Sequence, residues 1–138
     1  MIYFILIYIL DTKSAIAVSS NDGMDEISIS DITYATILKD GKSEEFIINP
    51  EDYGFKVAPK KAIEGSNAKE NAKITYSILK GEEEGAKRDV VLLNSAVALV
   101  VDGKARDIKD GVEIAKDSIE SGKAFKKLKE IIRVSASV

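Results

Sequence analysis

The chain has 138 residues, of which 45% are hydrophobic and 31% are charged, and its formal net charge is −3. This length and balance are typical of one globular domain, and the negative charge argues against general nucleic-acid binding, which requires a basic face. The sequence contains no cysteine and no histidine, which excludes disulfides, nucleophile–histidine catalysis and thiolate or imidazole metal ligands. Any metal must therefore be held by oxygen atoms, which suit magnesium, manganese or calcium.

The N-terminal run Met1–Leu10 is entirely apolar. It has about half the ~20 residues that a membrane helix needs, and it lacks the positive n-region and small-residue cleavage site of a secretory signal. Three interpretations stay open: a buried strand or helix, a membrane contact, or an artefact of a displaced start codon. We therefore separate residues 1–14 from a folded portion at residues 15–138, and we expect no membrane association.

Three β-prone stretches follow, at residues 15–20, 32–38 and 44–49. Asp40-Gly41 lies between the second and the third, and this dipeptide between two β-prone runs is typical of a hairpin turn. Pro50 should end the third strand because proline cannot donate to a ladder. Residues 50–54 then resemble a single helical turn that Gly54 closes.

Four helices are predicted after residue 66. Asn67 and Glu70 form a capping pair for the first, which should end at Gly81. The second, residues 90–101, is apolar nearly all round, as is typical of a helix at the centre of a core. The third runs from about Asp107 to Ser121 and carries one stripe spaced four, three and four residues apart: Ile108, Val112, Ala115 and Ile119. The fourth has lysines on one side and an apolar set on the other: Phe125, Leu128, Ile131 and Ile132.

The order of strands first and helices second predicts an α/β fold, with a small mixed sheet that contains a hairpin and is covered by about four helices. Such a sheet has an edge that something should cover. The chain consequently looks incomplete as an independent domain.

The candidate site is the loop Asp22–Glu26, which directly follows the first strand. The adjacent carboxylates of Asp25 and Glu26 could hold a hydrated magnesium ion, which takes one or two carboxylates together with substrate phosphates. Gly23 would let the backbone turn sharply before the pair. The alternatives are that the two acids are simply solvated or that Asp25 caps a turn through its side chain. Asn94, in the apolar helix, is expected to be a hydrogen-bonded core amide.

Five segments, taken in order, resemble the C-terminal part of the anthranilate phosphoribosyltransferase family. The first is the acidic motif at residues 22–28. The others are Asn49–Gly54, Gly65–Ala72, Arg88–Asn94 and Ser121–Ala124. Because five segments occur in the family order at compatible spacing, the resemblance is specific, and it covers residues from about Ala15 to Ile132.

The resemblance implies a partial copy of the phosphoribosyltransferase large domain. It also implies transfer of a phosphoribosyl group from phosphoribosyl pyrophosphate to the amine of anthranilate, a step of tryptophan biosynthesis, in a cytoplasmic enzyme. In the family, a paired Asp-Glu holds Mg2+ near the pyrophosphate. That role carries over to Asp25 and Glu26 of this chain.

Several family features lie upstream of the region that this chain resembles: the helical domain, the Gly-rich pyrophosphate loop and the polar residues that hold anthranilate. No catalytic or substrate-binding residue is therefore carried over. We expect a truncation, a split gene product or a frameshifted reading frame that is inactive alone and works with a separate N-terminal portion. The alternative is a non-catalytic remnant or an interaction fragment.

Overall fold

The computed structural model describes residues 12–137 as a three-stranded sheet followed by four α-helices. The strands are β1 (Ser14–Ser20), β2 (Thr33–Lys39) and β3 (Lys42–Ile48), and the helices are α1 (Ala68–Lys80), α2 (Ala86–Val101), α3 (Ile108–Glu120) and α4 (Lys123–Ser135). Two 3₁₀ turns, Pro50–Tyr53 and Lys60–Ala62, lie between β3 and α1. The α/β class, the hairpin and the four helices are confirmed. The run Met1–Leu10 lies outside the described residues, so its predicted status stays open.

The sheet has the order β1-β2-β3, and both strand pairs among the described residues are antiparallel. In this detail the sheet differs from the mixed sheet expected from the sequence. Asp40 (φ 50°) and Gly41 (φ 74°) both have left-handed backbones, as a two-residue hairpin turn requires to match the twist of its strands. The Asp-Gly signal therefore located the hairpin correctly.

The core lies between one face of the sheet and α2. Leu92, Leu93 and Ala96 are fully buried, and the sheet contributes Ile16 and Val18 from β1 to the same cluster. The prediction of a central apolar helix is confirmed, but its start was placed four residues too late. The helix begins at Ala86 after Gly85, because residues 86–89 extend the helix instead of belonging to the preceding charged loop.

Helix α3 packs along α2 through the predicted stripe, all of which is buried: Ile108, Val112, Ala115 and Ile119. Asp107 caps its first turn by accepting a hydrogen bond from the amide of Asp110 at 2.9 Å. At the crossing, a Cβ added to Gly111 would lie 2.6 Å from the carbonyl oxygen of Ala96. The glycine therefore sets how closely these two helices approach.

Helix α4 packs on the body mainly near its start, and residues 131–135 are all exposed. Phe125 stacks edge to face on Tyr76 of α1, with ring centroids 4.7 Å apart, whereas Ile131 and Ile132 are exposed. The apolar side predicted from the sequence thus runs beyond the contact with the body. Within residues 12–137, none of the helices is long and apolar enough to cross a membrane.

Candidate functional site

The acidic loop occupies residues 21–32 between β1 and β2, and the side chain of Asp22 closes its first turn. Gly23 has a φ of 83° and donates its amide to the carbonyl of Ser20 at 3.0 Å, so the predicted sharp turn at this glycine is present. Asp22 Oδ1 accepts from the amide of Met24 at 3.1 Å, and Oδ2 accepts from the hydroxyl of Ser28 at 2.8 Å. The turn cap suggested for Asp25 is therefore provided by Asp22.

The surroundings of Asp22 favour its ionised form. Burial opposes ionisation, but hydrogen bonds from the hydroxyl of Ser28 and the amide of Met24, together with the charge of Lys60, outweigh it and lower the pKa of this carboxyl. The nearby hydroxyl of Ser20 donates to the backbone carbonyl of Ile32 at 3.2 Å. At neutral pH the loop consequently contains a fixed negative charge that its own hydrogen bonds stabilise.

Asn94 of α2 fastens the far end of the acidic motif to the core. Its amide oxygen accepts from the backbone N–H of Ile27 at 3.1 Å, and its amide nitrogen donates to the carbonyl of Ile27 at 2.8 Å and to the carbonyl of Val90 at 2.9 Å. Ile27 and the next two residues are buried. The prediction of a hydrogen-bonded amide is confirmed, and the partner is the residue immediately after Glu26.

Lys60 adds a third attachment to the loop. Its Nζ donates to the backbone carbonyl of Asp22 at 2.6 Å from the 3₁₀ turn Lys60–Ala62. This lysine lies 38 positions from Asp22, and nothing in the local sequence singles it out. Only the folded chain shows that the loop is held both by the segment between β3 and α1 and by α2.

Asp25 and Glu26 themselves are exposed between these attachments. Within residues 12–137 neither carboxylate takes part in a side-chain hydrogen bond or an ion pair, and no group of three or more acidic residues is placed to hold a metal ion. The arrangement therefore presents two adjacent, solvated carboxylates on an anchored backbone. This is a suitable half of a magnesium site that waters and phosphate oxygens would complete.

A second perturbed acid, Asp89, lies in the first turn of α2. Burial raises the pKa of Asp89, and the charges of Arg88 and Lys116 partly offset that rise. Arg88 forms its ion pair with Glu120, the last residue of α3, at 3.0 Å and not with the neighbouring Asp89. Asp89 therefore lies in the first turn of α2, five positions before Asn94.

Comparison with known proteins assigns most of the chain to a single domain type. A family model described as "Glycosyl transferase family, a/b domain" matches residues 5–125. Anthranilate phosphoribosyltransferase from Methanobrevibacter smithii is 48% identical over 125 residues, which cover 91% of this chain and 37% of the relative. The chain thus spans little more than a third of the length of this curated relative.

Solved structures agree with this assignment. A variant of anthranilate phosphoribosyltransferase from Saccharomyces cerevisiae with Mg bound has a TM-score of 0.86 and 25% identity, covering 96% of this chain and 38% of the other. The same yeast enzyme in complex with PRPP and Mg has a TM-score of 0.85 and 24% identity, with the same coverage of both chains. The described fold is therefore that of one part of these larger proteins.

Proposed function

The chain belongs to the glycosyl transferase family, as part of its α/β domain, and from this membership we propose that it is the C-terminal portion of an anthranilate phosphoribosyltransferase. In the complete enzyme the phosphoribosyl group of phosphoribosyl pyrophosphate is transferred to the amine of anthranilate, in the cytoplasm. The portion described here contributes the acidic loop, and the remainder of the domain contributes the binding groups for both substrates.

One observation carries the proposal: two solvated carboxylates, Asp25 and Glu26, lie on a loop whose backbone is fixed on both sides. Asn94 holds the residue after Glu26, and the side chain of Asp22 holds Met24 before Asp25. Loops that only connect strands do not need such a combination of rigid backbone and unpaired acids. It is suited to a metal ligand pair, which must present its oxygens without first reorganising.

The residues fit Mg2+ by their chemistry. The donors are carboxylate oxygens, the hard ligands that this ion prefers, and two carboxylates leave positions for water and for phosphate oxygens. When bound, the ion would neutralise charge on the departing pyrophosphate. Asp25 and Glu26 would hold the ion, while Asp22, Asn94 and Lys60 keep the loop in one conformation.

The test of activity is reconstitution. We expect that the chain, mixed with the upstream portion of the Methanobrevibacter smithii enzyme, will consume anthranilate in the presence of phosphoribosyl pyrophosphate and Mg2+. The reaction is followed as loss of anthranilate fluorescence, and each half alone serves as the control. Unchanged fluorescence in a mixture shown to contain a 1:1 complex would rule out the proposal.

The test of the metal ligands is a magnesium titration of the reconstituted enzyme. Asp25→Ala and Glu26→Ala should each shift the Mg2+ concentration for half-maximal rate upward by at least tenfold, because each removes one of two carboxylate ligands. The matched control is Asp31→Ala, because Asp31 is another acid of the same loop and its carboxylate accepts a hydrogen bond from Asn21. This variant should keep the Mg2+ concentration for half-maximal rate within about twofold of wild type, a change worth less than 1 kcal/mol. An unaltered magnesium requirement in both variants would remove the ligand assignment.

A further inference from the structure

The two oxygens of the Asp22 carboxylate bond the acidic loop on both sides of the Asp25–Glu26 pair. Oδ1 accepts from the amide of Met24, which directly precedes the pair, at 3.1 Å. Oδ2 accepts from the hydroxyl of Ser28, two positions after the pair, at 2.8 Å. Because both oxygens belong to one planar group, the side chain of Asp22 sets the separation between the two ends of the segment that presents the pair.

Ser28 is held in the position that this bridge needs. It is fully buried, and its hydroxyl oxygen accepts from the amide of Ser30 at 2.8 Å, which leaves the hydroxyl proton for Asp22. The amide of Ser28 donates to Oγ1 of Thr33, itself fully buried, at 3.1 Å. A buried polar network whose members are all bonded is rigid. The bridge from Asp22 to Ser28 is therefore a fixed part of the loop.

The bonds around the bridge leave only the acidic pair itself without attachment. The carbonyl of Met24 accepts from the amide of Ser20 at 3.0 Å, and both backbone groups of Ile27 are bonded to a side chain of α2. The Asp25–Glu26 pair lies between these fixed points and is exposed. The loop, and not a bound ion, consequently determines how the two carboxylates are arranged.

A pair of carboxylates in a fixed arrangement discriminates between divalent ions. Mg2+ needs near-octahedral geometry with oxygens at about 2.0–2.1 Å, whereas Ca2+ takes roughly six to eight oxygens at about 2.3–2.6 Å in flexible arrangements. Selectivity between the two ions depends on the number of ligands and on the flexibility of the site. A rigid pair therefore suits Mg2+, and a loosened pair would lose more of its affinity for Mg2+ than for Ca2+.

We propose that Ser28 and Asp22 are positioning residues that give the Asp25–Glu26 pair a preference for Mg2+ over Ca2+. Both oxygens of Asp22 are engaged in the bridge, so these two residues act through the backbone of the loop and not on the ion. The inference rests on the proposed function, in which the pair holds Mg2+. It adds that the loss of one buried hydroxyl should change which ion the loop prefers.

The loop contains a matched pair of serines for the test. Ser28 and Ser30 lie two positions apart, and both hydroxyls are buried. The hydroxyl of Ser28 forms the bridge, whereas within residues 12–137 the hydroxyl of Ser30 has no hydrogen-bond partner. Ser28→Ala and Ser30→Ala thus remove the same group from the same loop, and only Ser28→Ala breaks the bridge.

A second variant breaks the bridge from its other end. Asp22 is only partly buried, so its replacement disturbs the interior less than a change at Ser28. In Asp22→Ser the shorter side chain can still accept from the amide of Met24, as serine does in turns, but it does not reach Ser28. The substitution also removes a negative charge, which weakens the binding of both divalent ions alike. The ratio of the two affinities therefore remains a measure of the bridge.

The experiment is an NMR titration of the full chain with MgCl2 and, separately, with CaCl2, in which the amides of Asp25 and Glu26 are followed. The measured quantity is the Kd for Ca2+ divided by the Kd for Mg2+. This ratio should fall about fivefold in Ser28→Ala and in Asp22→Ser, as expected for one lost hydrogen bond, and stay within about 1.5-fold of wild type in Ser30→Ala. The dispersion of the amide signals shows whether each variant is folded, and Asp22→Ser decides the test if Ser28→Ala is not.

Four results would overturn the proposal. They are an unchanged ratio in a folded Ser28→Ala variant, an unchanged ratio in Asp22→Ser, an equal fall in Ser30→Ala, and the absence of any Mg2+-dependent shift at the Asp25–Glu26 pair. Failure of the proposed function gives a different pattern, because the titration does not depend on catalysis. The predicted ratios in a chain whose reconstituted enzyme consumes no anthranilate would reject the activity and leave the role of Ser28 in place.

Discussion

Replacing Asn94 with alanine tests whether this side chain holds the acidic loop. The substitution removes both bonds to the backbone of Ile27 and leaves its N–H and C=O without their protein partner. A buried polar group left unsatisfied costs about 1–3 kcal/mol. Because the site is only part-buried, water replaces some of the lost interaction, and we expect the free energy of unfolding to fall by about 2–4 kcal/mol.

The chain contains a matched control for this substitution. Asn71 of α1 also bonds both backbone groups of an earlier residue, accepting from the amide of Ser66 at 2.7 Å and donating to its carbonyl at 3.4 Å, but at an exposed position. Alanine is a better helix former than asparagine by about 0.5 kcal/mol at either site, so this gain cancels when the two variants are compared. Asn71→Ala should cost less than about 1 kcal/mol, since water replaces its bonds.

The assay is urea unfolding of the two variants and the wild type at neutral pH, with the free energies of unfolding compared at a common m-value. Hydrogen exchange of the Ile27 amide supplies a local readout and should accelerate in Asn94→Ala alone. Equal destabilisation by Asn94→Ala and Asn71→Ala, with unchanged exchange at Ile27, would refute the reasoning. Asn94 would then be an ordinary helix residue and not the anchor of the loop.

The close approach at Gly111 and the titration of Asp22 and Asp89 can also be tested by substitution. Gly111→Ala should destabilise the chain by about 1–3 kcal/mol in thermal unfolding, because the added methyl would press on the backbone of Ala96; higher stability would instead mean that the helices can separate. Folding lowers the pKa of Asp22, so the contribution of this carboxyl to the free energy of unfolding is present above the unfolded pKa of 3.8 and is lost as the pH falls through the folded pKa. Asp22→Asn should therefore weaken the loss of stability towards acid pH in urea unfolding. A pH profile identical to that of the wild type would contradict this. Burial raises the pKa of Asp89, so its contribution is present below 3.8 and is lost as the pH rises through the folded value. Asp89→Asn should therefore stabilise the chain at neutral pH and not below 3.8, and a loss of stability at neutral pH would show that the charge at the helix start matters more than its burial.

Local signals in the sequence were sufficient for much of the fold. The turn at Asp40-Gly41 depends on two consecutive residues with positive φ. Asn67 caps α1 because its side chain accepts a hydrogen bond from the amide of Glu70. The stripe of α3 depends only on helical periodicity. Each of these features involves residues a few positions apart, so their chemistry is visible without knowledge of the tertiary structure.

The contacts that anchor the acidic loop are not local. Asn94 and Ile27 are 67 positions apart, and Lys60 and Asp22 are 38 apart. A single sequence indicates that Asn94 needs a partner but not which one, and an exposed lysine in a connector has no distinguishing pattern. The adjacent carboxylates of Asp25 and Glu26 were a candidate from their place in a loop after a strand, and the family resemblance implied their role. The contacts that fix their backbone required the structure.

If this chain is the C-terminal portion of an anthranilate phosphoribosyltransferase, as we propose, it should supply that activity in a cell together with the upstream portion of the enzyme. The most direct test is growth of a bacterial strain that lacks this enzyme, on medium without tryptophan, when the chain is co-expressed with the upstream portion of the Methanobrevibacter smithii relative. We predict growth with both portions together, none with either alone, and strongly reduced growth when the chain contains Asp25→Ala and Glu26→Ala. Absence of growth despite a stable complex of the two portions would contradict this proposal.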